Sequence, residues 1–212
     1  MSDDFRRYCE LAQRDGRGED VVLARILDER DAVTPLDPWY FYQDTWAFRR
    51  VVEAQPAWLL DVGSTALLVG ILAQVLPVVS VDVRPLPVTL PGLTCRKGDI
   101  TALPFGDGEV PMATSLSVIE HIGLGRYGDA LDPRGSERAC RELQRVVAPG
   151  GRIVLSVPIA ERAVTLFNMH RLLTREQVCG WLDGCELAGE LTIDGGNMVV
   201  WCAEFVKRGG DA

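Results

Sequence analysis

Two aspartates at a set interval carry the first chemical signal in this chain. Asp61 lies in Leu60-Asp61-Val62-Gly63-Ser64-Thr65, and Asp82 follows 21 residues later in Ser80-Val81-Asp82-Val83-Arg84. Each closes a short apolar run that reads as a strand, so both carboxylates arrive at one edge of a sheet. In doubly wound α/β folds, ligands sit beyond the carboxyl ends of the strands. An acid about 20 positions after the first turn there accepts hydrogen bonds from a ribose diol. A carboxylate takes two such bonds in a fork, and hydrogen bonds to a charged acceptor are worth roughly 1.5–3 kcal/mol. The pair points to a cofactor of the adenosine type. Either acid alone would be as well explained as a solvated loop residue or a helix cap.

A second group could move protons. Glu120 and His121 stand just beyond a fourth strand-like run, and histidine is the side chain best suited to take a proton at neutral pH. His121 is the leading candidate base and Glu120 its partner or orienter, against the alternative of a histidine packed at a helix start. His170 and Arg171 follow a connection, Pro158 to Met169, that should cross the same edge. They form the second candidate pair, in which Arg171 either grips a carboxylate or phosphate through its planar fork or forms a surface salt bridge. The glycine-punctuated loop Gly123 to Asp129 holds Arg126 and Tyr127. Loops on a rigid scaffold usually carry specificity, so these two are assigned to substrate recognition, although a plain flexible turn explains the glycines equally well.

The elements that would position these groups alternate from Trp58 onward. Strands are predicted near 58–62, 78–82, 93–97, 112–117 and 152–157, separated by helical stretches, which is the pattern of a mostly parallel sheet covered on both faces. Leu68, Leu72 and Val75 share one face of the first connecting helix; Ala139, Leu143, Val146 and Val147 share one face of the fourth, with Glu137 and Arg141 paired on its exposed side. Thr174-Arg175-Glu176-Gln177 reads as a capping box. The runs 187–193 and 199–206, joined by Asp194-Gly195-Gly196-Asn197, predict a terminal antiparallel hairpin. The second crossover is abnormal: only ten residues, among them Pro85, Pro87 and Pro91, separate Asp82 from Leu93. That is too short and too proline-rich for a helix. An irregular loop there would leave a flank of the sheet open to the N-terminal helices or to a second subunit of a homodimer. Helices at 3–14, 20–30 and Trp39 to Glu53 form a helical preface over 1–55, ahead of a domain spanning 56–208. The aromatic run Pro38 to Tyr42 reads first as a flap packed on the sheet edge and second as a stacking surface for substrate.

Bulk composition narrows the function classes. A chain of 212 residues with 47% hydrophobic content has ample material for one core. A net charge of -8 disfavours nucleic acid as a partner. Six scattered cysteines without a Cys-x-x-Cys pair, and two histidines, give no expected metal site and suggest reduced thiols in the core. No apolar run approaches a membrane span and the N-terminus lacks a signal-peptide core, so the expectation is a soluble, cytoplasmic protein.

A five-strand parallel core ending in a hairpin, with acids after its first three strands, resembles the class I S-adenosylmethionine-dependent methyltransferases over about seven-tenths of the chain. Further matches are Lys97-Gly98-Asp99-Ile100-Thr101 with Leu103-Pro104-Phe105, Ser117-Val118-Ile119-Glu120-His121, and Val146-Val147-Ala148-Pro149-Gly150-Gly151-Arg152. More narrowly, the segments Ile119 to Asp129 and Phe167 to Arg171 look like a small bacterial methyltransferase-like group. The resemblance implies a Rossmann-like sheet of about seven strands and S-adenosyl-L-methionine as cofactor. It places Asp61, Gly63 and Ser64 toward the methionine part, Asp82 on the ribose, Asp99 on the adenine amine, Val83 and Ile100 on the adenine faces, and Ser117 beside them. His121, Glu120 and His170 become the catalytic candidates, and Arg126, Tyr127 and Arg171 the contacts to a small-molecule acceptor.

One departure from that pattern matters. Where such proteins carry three alternating glycines, Gly63 is followed here by Thr65 and Leu67. Side chains at those positions would narrow the pocket. The departure weighs further against a dinucleotide, whose pyrophosphate needs a glycine-lined helix start. The sequence thus supports methyl transfer first, a non-catalytic binding module of the same fold second, and an NAD-dependent oxidoreductase third.

Overall fold

The computed structural model describes residues 3–14 and 32–209. The chain divides into two compact units, 1–36 and 37–212. In the first, α1 (Asp3–Arg14) ends with Arg14 in its last turn, where a cation suits the helix dipole. The helix expected at 20–30 lies outside the described residues.

The second unit contains the sheet. Strands β1 (Leu59–Val62), β2 (Val78–Asp82), β3 (Leu93–Lys97), β4 (Val110–Leu116), β5 (Val147–Ile159), β8 (Cys185–Asp194) and β9 (Val199–Lys207) are arranged in the order β3-β2-β1-β4-β5-β9-β8. The first five run parallel, β9 is antiparallel to β5, and β8 is antiparallel to β9. Between β1 and β4 the strand order reverses, and ligand crevices form at such a point.

The helices explain the burial pattern. The helix expected from Trp39 is α2 (Pro38–Ala54), capped by the Asp37 side chain, and it belongs with the sheet. Its face at Gln43, Ala47 and Val51 is fully buried, and α3 (Ala66–Leu72) adds Leu68, Val69 and Leu72 to the same cluster. The short second crossover contains no helix, as its prolines required; Leu86 and Leu90 pack against this cluster instead. On the other face, α4 (Gly135–Val146) buries Ala139, Cys140, Leu143 and Val146, and α5 (Arg175–Trp181) buries Val178 behind the expected capping box.

One element was missed from sequence. A small hairpin of β6 (Val164–Leu166) and β7 (His170–Leu172) leaves the end of β5, with Asn168 at φ 59° in its turn. Three-residue strands are below the length at which alternation is readable. Trp39 packs on the β8–β9 turn, close enough that a Cβ on Gly195 would lie 2.4 Å from its ring, and its indole N–H donates to the Met198 carbonyl at 3.0 Å. The flap reading thus holds for Trp39, whereas Tyr40 faces a cleft described below.

Candidate active site

The turn after β1 is built by buried hydrogen bonds. Asp61 is fully buried; its Oδ1 accepts from the Thr114 hydroxyl at 2.8 Å and its Oδ2 from the Ser64 N–H at 3.3 Å. Burial raises its pKa to about 6. Asp61 therefore holds the turn from beneath and does not line a cleft. Gly63 has φ 71°, and a Cβ there would lie 3.1 Å from Val118 and 3.6 Å from Asp82 Oδ2. Only glycine permits both the dihedral and the close approach. Thr65 caps α3, accepting from the Leu68 N–H at 3.4 Å and donating to Asp44 Oδ2 at 2.7 Å. Leu67 is 74% exposed, so the expectation that it narrows the pocket is corrected: at the second position of a helix it projects to solvent.

A cleft of about 390 Å3 opens at the carboxyl ends of β1, β2 and β3. Its lining includes Gly63, Asp82, Val83, Asp99, Ile100 and Ser117. Asp82 accepts from the Arg84 N–H at 2.7 Å, and Asp99 from the Thr101 N–H and hydroxyl, both at 2.8 Å. In each acid these bonds go to Oδ1, and Oδ2 has no partner among the described residues.

A second cleft, of about 300 Å3, adjoins the first and shares Gly63, Ser117, His121 and Tyr127 with it. Ser64, Glu120, Arg126 and His170 also line it. His121 lies at the junction. Its Nδ1 is 2.6 Å from the Met169 carbonyl and 3.4 Å from Arg126 Nη1; the much shorter contact is to a group that can only accept, which sets Nδ1 as the donor and leaves the lone pair on Nε2. Nε2 is 3.7 Å from Glu120 Oε1. Burial lowers the His121 pKa, and that of His170, whose ring is 6.3 Å away. Glu120 is 3% exposed, its Oε2 has no hydrogen-bond partner, and burial raises its pKa to about 8.

The loop between the 3-10 turn Ile119–His121 and α4 is ordered by its own carboxylate. Asp129 Oδ2 accepts from the N–H groups of Gly123 at 2.6 Å and Gly125 at 3.3 Å, and Oδ1 accepts from Tyr127 at 3.2 Å. These bonds present Tyr127 between Arg84 and Arg126, whose guanidinium carbons lie 4.4 and 5.2 Å from its ring centre. Arg171 is 7% exposed and donates to the carbonyls of Ile122 and Asp132 and to the Ser136 hydroxyl. It straps this loop to α4 and is not available as a fork for substrate.

The structure thus brings together Gly63, Ser64, Asp82, Val83, Asp99, Ile100, Ser117, Glu120, His121, Arg126, Tyr127 and His170 around two joined clefts, and sets Asp61 and Arg171 behind them as supports. Sequence reasoning missed Gln43, Asp44 and Arg84; Tyr40, which lines the second cleft, lies in the aromatic run whose second reading was a stacking surface. Gln43 Oε1 accepts from the hydroxyls of Ser117 at 2.8 Å and Ser156 at 2.7 Å, holding Ser117 at φ 54°. Its signal was present: Gln43, Ala47 and Val51 recur every four residues, so a polar side chain stands on an apolar helical stripe. Among the described residues no group of three or more His, Cys, Asp or Glu could hold a metal ion, and no helix is long and apolar enough to cross a membrane.

Residues 107–195 match a family model described as a Caenorhabditis protein of unknown function, DUF268. No curated protein matches the chain. Among solved structures, the N-methyltransferase NodS from Bradyrhizobium japonicum is 15% identical with a TM-score of 0.62, covering 86% of this chain and 100% of its own. Magnesium protoporphyrin IX methyltransferase (ChlM) from Synechocystis, with bound SAH, is 12% identical with a TM-score of 0.61, covering 79% of this chain and 83% of its own. The [4+2]-cyclase SpnF is 14% identical with a TM-score of 0.57, covering 77% and 82%. The chain has the fold of class I S-adenosylmethionine-dependent methyltransferases.

Proposed function

We propose that this protein is an S-adenosyl-L-methionine-dependent methyltransferase acting on a small molecule. The observation that carries the reading is the pair of clefts joined at Gly63, Ser117, His121 and Tyr127: one has acids at successive strand ends, the other an acid–base cluster. The residues fit the cofactor. Gly63 leaves a cradle that a Cβ would fill, and Asp82 and Asp99 each keep an oxygen for an outside donor. The cleft volume also lies in the range of small-ligand sites.

When bound, the cofactor supplies a methyl group on a positively charged sulfur. Asp82 would hold the ribose hydroxyls and Asp99 the adenine amine, with Val83 and Ile100 as the apolar contacts. The Gln43–Ser117 network and the Asp61 carboxyl keep the strand ends rigid, so alignment costs little at the moment of reaction. His121 takes the acceptor's proton at Nε2, because the Met169 carbonyl commits Nδ1 as donor and burial keeps the ring neutral. Arg84 from the first cleft and Arg126 from the second flank the Tyr127 ring that both clefts share. A non-catalytic module of the same fold is the second reading, since Thr65 and Leu67 stand where two glycines were expected.

Calorimetry with S-adenosylmethionine and S-adenosylhomocysteine, with NAD as control, tests this. Micromolar binding of the sulfur ligands alone is expected, and Asp82→Ala should weaken it about 10- to 100-fold, as loss of a charged hydrogen-bond acceptor implies. Unchanged affinity in that variant removes the ribose assignment; no binding to the wild type refutes the reading.

A further inference from the structure

Arg126 is the cation least explained by the fold. In a chain of 30 acids and 22 bases it forms no ion pair among the described residues, whereas Arg134, Arg138 and Arg141, which follow on and before α4, are all paired. Its own loop offers Asp129, but that carboxylate is turned onto the N–H groups of Gly123, Gly125 and Tyr127.

The guanidinium is nonetheless held at the second cleft. Nη1 donates to the Met169 carbonyl at 3.0 Å and lies 3.4 Å from His121 Nδ1, and Cζ is 5.2 Å from the Tyr127 ring centre. These contacts occupy one nitrogen. Nε and Nη2 donate to nothing among the described residues, and together they form the planar edge that meets a carboxylate with two parallel bonds. Fixing that edge in advance lowers the cost of binding.

The surroundings add donors and little negative charge. The His121 ring lies 5.7 Å from Tyr127 and 6.3 Å from His170, so both histidines of the chain gather beside Arg126. One carboxyl lines this cleft, Glu120, which is 3% exposed and kept protonated by burial. Asp44 lies behind Thr65 with its two oxygens taken by Thr65 and Gln43. An ammonium entering here would be repelled by Arg126, and a neutral group would leave its charge unbalanced. A single carboxylate fills the fork and balances it. A phosphate monoester, with a charge of about −1.5 to −2, brings more than one guanidinium offsets.

We propose that Arg126 anchors the acceptor: the second cleft takes a small molecule that carries a carboxylate, gripped by Nε and Nη2, with its body against Trp39, Tyr40, Met198 and Val200. The inference rests on the methyltransferase reading above. A carboxylate has no proton for His121 to take, so it is the handle, and a different group of the acceptor receives the methyl.

The test follows the ring signals of the two histidines by NMR in the full-length protein saturated with S-adenosylhomocysteine at pH 7.5. Both histidines line the cleft, so these signals report its occupancy. Benzoate, benzyl alcohol, benzylamine and phenyl phosphate are titrated separately, and benzoate should bind at least about tenfold more tightly than each of the others. Arg126→Met should remove that preference. Arg84→Met, which takes an equal charge from the other flank of Tyr127, should leave it in place. Arg126 is exposed, so its variant should fold, and the wild-type ratios stand whatever the variants do. Equal or tighter binding of another probe, a preference that survives Arg126→Met, or one that Arg84→Met also abolishes, overturns the inference alone. So does a loss of S-adenosylhomocysteine affinity in Arg126→Met as large as the loss for benzoate, which would assign the guanidinium to the cofactor's own carboxylate. Failure of S-adenosylhomocysteine to bind the wild type refutes the methyltransferase reading and takes this inference with it.

Discussion

Replacing Glu120 by glutamine should make the protein more stable, by an amount that grows with pH. Burial raises the carboxyl from 4.5 to about 8, so the folded state keeps a proton that the unfolded chain releases between those values. The native state thus binds more protons than the unfolded state, and stability falls as pH rises through that window. At about 1.4 kcal/mol per pKa unit, the full shift corresponds to a ceiling of about 5 kcal/mol. Relaxation and water entering the adjoining cleft reduce this to about 2–3 kcal/mol. Glutamine keeps the shape and never ionises. Wild type and Glu120→Gln should therefore unfold together near pH 4.5 and diverge by about 4–12 °C in Tm at pH 8.5, given about 2–4 °C per kcal/mol at this size. Asp61, also raised by burial, is present in both proteins and cancels. Thermal and urea unfolding from pH 4.5 to 9 measure the difference directly. A gap that stays flat, or a wild type that gains on the variant as pH rises, would show that Glu120 is ionised in the native state and refute the reasoning.

Gly63→Ala should lower stability by about 1–2 kcal/mol, the cost of a left-handed residue with a Cβ, and weaken S-adenosylhomocysteine binding more than tenfold because the Cβ enters the cradle beside Val118. Wild-type affinity in calorimetry would mean that no ligand approaches there. His121→Ala should slow turnover about 10²- to 10⁴-fold, much more than it weakens cofactor binding; unaltered rates would remove His121 from proton transfer. Arg171→Met should cost about 2–4 kcal/mol by urea unfolding, since it leaves the Ile122 and Asp132 carbonyls without their donor. If instead stability holds and KM for an acceptor rises, Arg171 serves substrate after all.

The parallel core was legible because its signals are local. Apart from the edge strand β3, the parallel strands are mainly apolar runs with an acid or a turn at the end, and Thr174 with Gln177 or Asp194 with Gly195 act within a few residues of themselves. Pro85, Pro87 and Pro91 excluded a helix from the second crossover by covalent geometry alone. The three acids were equally visible, since each follows a strand-like run and parallel strands bring their carboxyl ends to one edge. What tertiary structure alone decided is which of these groups face a ligand. Asp61 and Asp82 look alike in sequence, yet Thr114 and Ser64 close around Asp61 whereas Asp82 keeps an oxygen free in the cleft. Arg171 could have been a fork for substrate until three acceptors on the chain's own loop and α4 claimed it. Leu67 stood where a glycine was expected, and helix geometry turned it to solvent. Residue types and spacing determine the elements and their chemistry. The partners that satisfy or abandon each polar atom come from segments up to 159 residues apart, as Trp39 and Met198 do, and only packing chooses them.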